Sequence, residues 1–130
     1  MGLLDRIFSS GKPAVMPVHL NDDNFEAEVL RHDGLVLVDI WGPGCAPCKQ
    51  LEPIIIRLAK DYAGRLKVAE INAAGAPRTM AKLGVRGTPT VLYYRNGKVV
   101  DQVVGFRGSL WHRQTIDHLL GDDTPQAGGA

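Results

Sequence analysis

Apolar and polar positions follow two different periods along this chain, and the period changes several times. Short runs rich in β-branched and aromatic residues predict five strands, at 15–20, 35–41, 66–71, 90–95 and 98–104. The run 35–41 is nearly continuously apolar, which is typical of a strand that is covered on both of its faces. We therefore expect this segment to lie centrally in a sheet.

Helical spacing of apolar positions separates the early strands. Asn21 or Asp22 can cap a first helix that ends before Gly34. Residues 48–62 repeat apolar side chains every three or four positions, and Gly64 beyond them is a candidate C-cap. Helices are thus predicted on both sides of the central strand along the chain.

Two further helices are predicted in the second half. Residues 77–83 form a short helix with a proline in its first turn, and Ser109 is expected to cap a final helix. The apolar stripe of that final helix has four members: Leu110, Ile116, Leu119 and Leu120.

The connections between the strands predict how they pair. Asn96-Gly97 separates the last two strands and is a strong hairpin signal, so these strands should be antiparallel, whereas helical crossovers imply parallel early strands. The order β-α-β-α-β-α-β-β-α predicts an α/β domain with a mixed five-stranded sheet and helices on both faces. We expect this domain over 15–120, a partly ordered leader at 1–14 and a disordered tail at 121–130.

Two cysteines, Cys45 and Cys48, stand at the junction between the buried strand and the long helix. At a helix start, free N–H groups and the helix dipole stabilise an anion, so the Cys45 thiolate is favoured. Cys48, one turn later, is expected to be more buried and able to attack a disulfide formed at Cys45. This strand-turn-helix setting is typical of a redox pair.

The two cysteines have two other possible roles, zinc binding and packing in the core. Zinc needs four ligands, but the chain has no further cysteine, and its histidines show no matching spacing: His19, His32, His112 and His118. We therefore expect no metal. The cysteines can also be ordinary core residues, although two cysteines three apart cannot form a stabilising disulfide framework.

Charge and composition exclude several functional classes. Fifteen basic and fourteen acidic residues leave a formal charge of +1, without a long run of like charge, so no nucleic-acid partner is expected. Asp5 and Arg6 interrupt the apolar N-terminus before a secretory core can form, and no stretch is long enough to span a membrane. We expect a soluble, cytoplasmic monomer.

Three motifs stand in order along the chain: Val38-Asp39-Ile40-Trp41 followed by Cys45-Ala46-Pro47-Cys48-Lys49, then Val85-Arg86-Gly87-Thr88-Pro89-Thr90, then the Asn96-Gly97 hairpin with Val104-Gly105. In order and spacing they resemble the thioredoxin family over about residues 15–120. The resemblance implies the thioredoxin fold and disulfide exchange without an organic cofactor. It also implies disulfide-containing protein substrates and a thioredoxin reductase as electron donor.

The resemblance implies a role for each cysteine and for the residues near them. Cys45 is the nucleophile, Cys48 is the resolving thiol, and Pro47 restrains their spacing. Pro89 matches the family's cis-proline, beside which the Thr88 backbone pairs with an extended substrate.

The resemblance also covers three residues of the strands. Trp41 matches the aromatic residue beneath the active-site loop, although a packing role is an equal alternative, and Gly105 matches a glycine of the substrate-facing surface. Asp39 matches the buried carboxylate that accepts or relays the proton of the resolving thiol. A carboxylate in an apolar central strand is costly unless it is paired or functional.

The chain departs from the family pattern at three positions. Gly44 stands where a tryptophan usually precedes the first cysteine, and Ala46 replaces the usual glycine, so both change the substrate-facing surface. Glu70 stands where a lysine commonly pairs with the buried aspartate. If Asp39 and Glu70 lie on neighbouring strands, burial and like charge should raise the pKa of Asp39, unless Glu70 turns to solvent.

These features together predict a thiol-disulfide oxidoreductase of the thioredoxin type that acts as a protein-disulfide reductase. A thiol oxidase or disulfide isomerase is the alternative within the enzymes, and the reduction potential separates these activities. A protein-binding module on the same fold is the alternative outside the enzymes. Binding by such a module should survive replacement of both cysteines.

Overall fold

Strands and helices alternate along the chain in the computed structural model, which describes residues 15–121. The strands are β1 (Val18–Leu20), β2 (Leu35–Trp41), β3 (Lys67–Asn72), β4 (Thr90–Arg95) and β5 (Lys98–Val104). The helices are α1 (Glu26–Leu30), α2 (Ala46–Asp61), α3 (Pro77–Leu83) and α4 (Ser109–Leu119), with a 3-10 turn at Ala73–Gly75. The leader predicted at 1–14 lies outside the described residues, as does the tail predicted at 121–130 apart from Gly121.

The strands form one mixed sheet in the order β1-β3-β2-β4-β5. β1 pairs with β3 and β3 with β2 in parallel, whereas β2 with β4 and β4 with β5 pair antiparallel. A helix crosses over before each parallel pairing, and the tight turn before β5 makes the last pairing antiparallel. The predicted α/β class, the mixed five-stranded sheet and the central place of β2 are confirmed.

Helices cover both faces of the sheet, so the domain has two cores. α2 and α4 pack on one face, where the buried side chains include Leu37, Leu51, Ile55, Leu58, Tyr93 and Ile116. α1 and α3 pack on the other face, with Val29, Val38, Ile40, Ile71 and Met80. Because successive strand residues point to opposite faces, Asp39 lies on the face that α2 covers.

The first helix is shorter than predicted and differs in its hydrogen bonding. α1 spans five residues, and its backbone bonds join residues five apart, as between the Arg31 N–H and the Glu26 carbonyl at 3.0 Å. The N-cap of α1 is Phe25, whose side chain makes no capping bond, so the predicted cap at Asn21 is wrong. Asn21 Oδ1 instead accepts hydrogen bonds from the backbone N–H groups of Asp23 and Asn24, in the turn that precedes α1.

Asp22, the other predicted cap of α1, serves a different helix. Its carboxylate accepts hydrogen bonds from the backbone N–H groups of Arg78 and Thr79, at 3.2 and 2.8 Å, and from the Thr79 hydroxyl at 2.7 Å. These groups lie in the first turn of α3, whose N–H groups have no partners within the helix. Asp22 therefore ties the start of α3 to the loop before α1.

Several predicted boundaries shift by one or two residues. α2 begins at Ala46 rather than at Cys48, so Cys45 is its N-cap, and Tyr62 rather than Gly64 is its C-cap. β1 is also shorter than predicted because only its last three residues pair with β3.

The predicted start of α4 is wrong in two respects. Gly108 is the N-cap, and the Ser109 hydroxyl accepts a bond from Arg113 Nε instead of capping the helix. Leu110 is 68% exposed and does not belong to the buried stripe. At 3.6 residues per turn, a residue six positions before Ile116 points to a different side of the helix.

The hairpin turn between β4 and β5 packs against the end of α1. Asn96 and Gly97 both have positive φ, at 51° and 84°, as a two-residue hairpin requires. The Asn96 Oδ1 accepts a hydrogen bond from the Gly34 N–H at 2.9 Å. A Cβ atom at Gly97 would lie 2.7 Å from the carbonyl oxygen of Leu30, so a side chain has no room there.

Gly97→Ala should therefore destabilise the protein by about 2–4 kcal/mol, because left-handed backbone strain adds to a backbone clash. Gly64→Ala is the matched control, since Gly64 has a similar φ of 88° but nothing within 4 Å of a built Cβ. The control should lose only about 1–2 kcal/mol. Urea unfolding of both variants measures the difference, and equal losses would show that the Leu30 contact carries no cost.

Candidate active site

The two cysteines form a disulfide at the start of α2. Their Cα atoms are 5.3 Å apart. Cys45 is the N-cap of α2, and its sulfur accepts a hydrogen bond from the Cys48 backbone N–H at 3.2 Å. Pro47 lies in the first turn, where its missing N–H costs nothing. The sequence thus places Cys45 Sγ at the positive end of a sixteen-residue helix.

The two sulfurs have different surroundings. Cys45 is half-buried, whereas Cys48 is buried, with 5% of its surface exposed. The chain reaches Cys45 from the end of β2 through a turn in which Gly44 has a φ of 70°. This left-handed backbone favours glycine over residues with a side chain. The backbone conformation at position 44 therefore agrees with the presence of glycine where the family usually has a tryptophan.

Asp39 is a buried carboxyl in the middle of β2. Only 5% of the residue is exposed, and its Oδ1 atom has no hydrogen-bond partner among the described residues. Burial, followed by the negative charges of Glu70 and Glu52, raises the pKa of Asp39 to about 7. The predicted neighbouring strands and the predicted rise in pKa are confirmed, since Asp39 and Glu70 are register partners of β2 and β3.

A cavity of about 410 Å³ is lined by both Cys48 and Asp39. Its walls include one residue of the disulfide, the buried aspartate and three charged side chains: Cys48, Asp39, Lys49, Glu52 and Glu70. Trp41 and Gly44 also line it. Asp39 therefore shares one cavity with the buried cysteine.

Glu70 is half-buried at this cavity and uses both carboxylate oxygens. Oε1 accepts a hydrogen bond from Trp41 Nε1 at 2.6 Å, and Oε2 lies 2.7 Å from Nδ1 of His19. The alternative that Glu70 turns fully to solvent is wrong, since 23% of its side chain is exposed. The Trp41 ring is consequently fixed by a polar bond as well as by packing.

A second group of predicted site residues lies beyond the active-site loop. The Thr88–Pro89 peptide bond is cis, and Pro89 is buried. The Gly105 N–H donates to the Pro89 carbonyl at 2.7 Å, so these two positions are adjacent. A Cβ built on Gly42 would lie 3.5 Å from Thr88 Oγ1, which places Thr88 against the loop that leads to Cys45.

Sequence reasoning missed three polar residues near the site: Glu52, Lys49 and His19. Glu52 follows Cys48 by four positions, and this one-turn spacing was a signal that both face the same side of α2. Lys49 directly follows Cys48, but its place in the motif gave no sign that it lines a cavity. The third, His19, contacts Glu70 from 51 positions away in the chain, so no local pattern could have revealed it.

A buried polar pair on the α4 side of the sheet was also missed. The Tyr93 hydroxyl lies 2.7 Å from Nδ1 of His112, and Nε2 of this histidine is buried without a partner among the described residues. Burial, and secondarily the charge of Arg107, lowers the pKa of His112 to about 4. His112 is therefore a neutral core residue near neutral pH.

The described residues contain neither a metal-binding cluster nor a helix that could span a membrane. Within 15–121, no three His, Cys, Asp or Glu side chains are grouped closely enough to hold a metal ion. None of the helices in this part of the chain is long and apolar enough to cross a membrane.

Disulfide exchange requires one accessible sulfur for the encounter and one sheltered sulfur within bonding reach. The junction of β2 and α2 provides both, because the helix start presents Cys45 and buries Cys48 one turn later. The fold and the site together define a thiol-disulfide oxidoreductase with an intramolecular redox disulfide.

Comparison with known proteins gives the family. The family model described as thioredoxin matches residues 16–117. The chain is 46% identical to "Thioredoxin 2" of Chlorobaculum tepidum over 100 residues, which cover 77% of this chain and 92% of that protein. The chain belongs to the thioredoxin family, and it is a thioredoxin-type dithiol/disulfide oxidoreductase of the protein-disulfide reductase kind.

Two plant proteins are similar over a smaller share of their own length. Identity is 43% to "Thioredoxin M-type, chloroplastic" of Pisum sativum, over 66% of this chain and 50% of that protein. It is 39% to "Thioredoxin M4, chloroplastic" of Arabidopsis thaliana, over 82% of this chain and 55% of that protein. The chain therefore spans about half the length of these two relatives.

Proposed function

We propose that this protein reduces disulfides of protein substrates, with Cys45 as the attacking thiolate and Cys48 as the resolving thiol. The Cys45 thiolate attacks one substrate sulfur, the other substrate sulfur leaves as a thiolate, and a mixed disulfide forms. The Cys48 thiolate then attacks Cys45 Sγ, which releases the second substrate sulfur and closes the protein disulfide. Two electrons pass from the protein dithiol to the substrate.

Asp39 is the proposed acceptor of the Cys48 proton. Its burial, the unpartnered Oδ1 and the cavity that it shares with Cys48 support this role. A pKa of about 7 leaves both protonation states of Asp39 populated near neutral pH. The carboxylate can therefore take the proton in the resolving step and return it to solvent through the cavity.

The proposed substrate surface surrounds the exposed edge of the cysteine pair. Three segments contribute to this surface. The active-site turn and the helix start contribute Gly44, Ala46 and Pro47, and the cis-proline loop contributes Thr88 and Pro89. Trp41 and Gly105 flank these segments. Adjacency of Pro89 and Gly105, and of Thr88 and the active-site loop, supports one continuous surface. An extended peptide would pair with the Thr88 backbone there.

The observation that carries the proposal is the disulfide at the N-cap of α2, with one sulfur half-buried and the other buried. A titration of the Cys45–Cys48 couple against glutathione buffers tests its direction. A reduction potential near about −270 mV would support a reductase, and a value near about −120 mV would make the protein an oxidant instead.

The remaining parts of the proposal concern partners and location. A thioredoxin reductase linked to NADPH supplies the electrons, and no organic cofactor, metal, nucleic acid or membrane takes part. The protein acts as a monomer in the cytoplasm. Reduction of the disulfide by a purified thioredoxin reductase with NADPH, followed by the loss of NADPH absorbance, tests the electron donor.

A further inference from the structure

Three titratable side chains lie in one row across three strands of the sheet. His19 of β1 is the register partner of Glu70 in β3, and Glu70 is the register partner of Asp39 in β2. Register partners in parallel strands point to the same face and lie about 5 Å apart. The row therefore runs from an exposed imidazole at the sheet edge to the buried carboxyl that shares a cavity with Cys48.

The contacts within the row show that Glu70 is held in place. His19 Nδ1 lies 2.7 Å from Glu70 Oε2, and Trp41 Nε1 donates to Oε1 at 2.6 Å. The His19 side chain is 64% exposed, whereas the Glu70 side chain is 23% exposed. Glu70 thus connects a solvent-exposed imidazole to a fixed point beside Asp39.

We propose that His19 and Glu70 are positioning residues for proton transfer at Cys48, a charge pair through which protonation of His19 controls ionisation of Asp39. The proposal deepens the function described above and rests on it for the resolving step. Glu70 stands at the position where the resemblance implies a lysine. The imidazole and the carboxylate together carry a net charge of −1 when the imidazole is neutral and of zero when it is protonated, so the charge beside Asp39 depends on pH.

The charges of His19 and Glu70 determine the direction in which protonation of His19 changes ionisation of Asp39. When the imidazole carries a proton, the negative charge of Glu70 is compensated and opposes ionisation of Asp39 only weakly. When the imidazole is neutral, that charge is uncompensated and Asp39 holds its proton more firmly. Imidazole changes charge between pH 5 and 8, the range in which Asp39 also titrates.

Other charges face Asp39 as well, and the test must separate them from the pair. Glu52 and Lys49 of α2 line the same cavity, and Glu52 raises the pKa of Asp39 after burial and Glu70. On the β4 side, the register partner of Asp39 is the apolar Val91. The pair is therefore separable from Glu52 and Lys49 by substitution within β1 and β3 alone.

In the resolving step, the Asp39 carboxylate accepts the proton of the Cys48 thiol. The Cys48 sulfur forms a bond to Cys45 Sγ, the bond from Cys45 to the substrate sulfur breaks, and the substrate leaves as a thiolate. No further oxidant or reductant is needed. The rate of this step depends on the fraction of Asp39 that is ionised, and hence on the pair.

The experiment measures the titration midpoint of the Asp39 carboxyl by 13C NMR in the oxidised full-length protein. The measurement is repeated in the variants of a double-mutant cycle. The variants are His19→Gln, Glu70→Gln, the combination of both, and Glu70→Lys. Glutamine keeps a hydrogen-bonding side chain at each position but removes the titrating group. Glu26→Gln and His32→Gln are the matched controls, because they make the same changes near α1, on the opposite face of the sheet.

Glu70→Gln should lower the Asp39 midpoint by about 0.5–2 pH units, and Glu70→Lys by more. His19→Gln should raise it by about 0.5 unit in the native background and by less than half of that when Glu70 is already Gln. The two controls should leave it unchanged. An unchanged midpoint in Glu70→Gln, or a His19→Gln shift of equal size in both backgrounds, would overturn the proposal.

A kinetic arm links the titration to the resolving step. A mixed disulfide of Cys45 with the chromophore 5-thio-2-nitrobenzoate is formed, and release of the free thiol is followed at pH 6. Release should be about threefold slower in His19→Gln and about fivefold faster in Glu70→Lys, because the ionised fraction of Asp39 changes in these directions. Equal rates in both variants would contradict control of this step by the pair.

Failure of the proposed function has a different signature. The native protein could reduce no disulfide while the Asp39 midpoint still shifts in the His19 and Glu70 variants as described. That result would contradict the reductase activity but support the coupling of His19 and Glu70 to Asp39. The native protein could also reduce insulin normally while the Asp39 midpoint stays the same in the His19 and Glu70 variants. That result would contradict only the control of Asp39 by His19 and Glu70.

Discussion

Cys48→Ser should trap a covalent complex between Cys45 and a substrate protein, whereas Cys45→Ser should trap none. The exposed sulfur at the helix start forms the mixed disulfide, and without the buried sulfur nothing resolves it. Either substitution should lower turnover with a protein disulfide by at least about three orders of magnitude, since each removes a group that breaks or forms a bond.

Insulin reduction measures the turnover, and non-reducing gel electrophoresis after mixing with a disulfide-containing protein shows the complex. Thr115→Ser, on the outer helix α4, is a control that should retain full turnover. Trapping by Cys45→Ser instead of Cys48→Ser would reverse the two roles. Partner binding that persists when both cysteines are serine would favour the binding module over the enzyme.

The second large effect is the dependence of the free energy of unfolding on pH. Two buried groups, Asp39 and His112, change it in opposite directions. Asp39 has a pKa raised from 3.8 to about 7, so it contributes stability below pH 3.8 that is lost as the pH rises through 7. His112 has a pKa lowered from 6.5 to about 4, so the folded protein loses stability as the pH falls from 6.5 to 4. The two dependences overlap and largely cancel in the native protein.

Asp39→Asn should expose the His112 dependence. The free energy of unfolding of this variant should increase by up to about 3 kcal/mol between pH 4 and pH 6.5. At pH 8 the variant should exceed the native protein by up to about 4 kcal/mol, because no carboxylate has to be ionised in the core. Urea unfolding of the oxidised protein at several pH values measures both quantities.

Asp33→Asn supplies the control for this series, since it removes a carboxylate at an exposed position. Its stability should follow the native dependence on pH. If Asp39→Asn also follows the native dependence, the Asp39 carboxyl is not perturbed in the folded protein. If Asp39→Asn is flat between pH 4 and 6.5, His112 is not the opposing group.

Local patterns in the sequence by themselves determined the elements of this fold and the centre of its site. The apolar run 35–41 is β2 in full, and the bounds of α3, β4 and β5 also match the prediction. These segments were predictable because their periodicity, the proline of α3 and the Asn96-Gly97 turn act within a few residues. The redox pair was equally local, since a helix start and two cysteines one turn apart suffice to define it.

Tertiary structure alone decided which distant residues meet. Asp22 was a plausible cap for α1 but caps α3, because the fold brings unpaired N–H groups 56 and 57 positions away within its reach. The pairing of Tyr93 with His112 likewise depends on how α4 lies on the sheet. A side chain takes the partner that the packed chain places beside it, and local sequence does not contain that choice.

The environment of Asp39 depends partly on local sequence and partly on tertiary structure. Its place in an apolar strand already predicted a carboxyl that resists ionisation, because that consequence of burial is local to β2. Its link through Glu70 to His19 required the parallel register of β1, β3 and β2, which joins residues far apart in the chain. Register is set by the packing of whole strands and helices, so only the folded sheet shows that an exposed histidine stands in line with the buried aspartate.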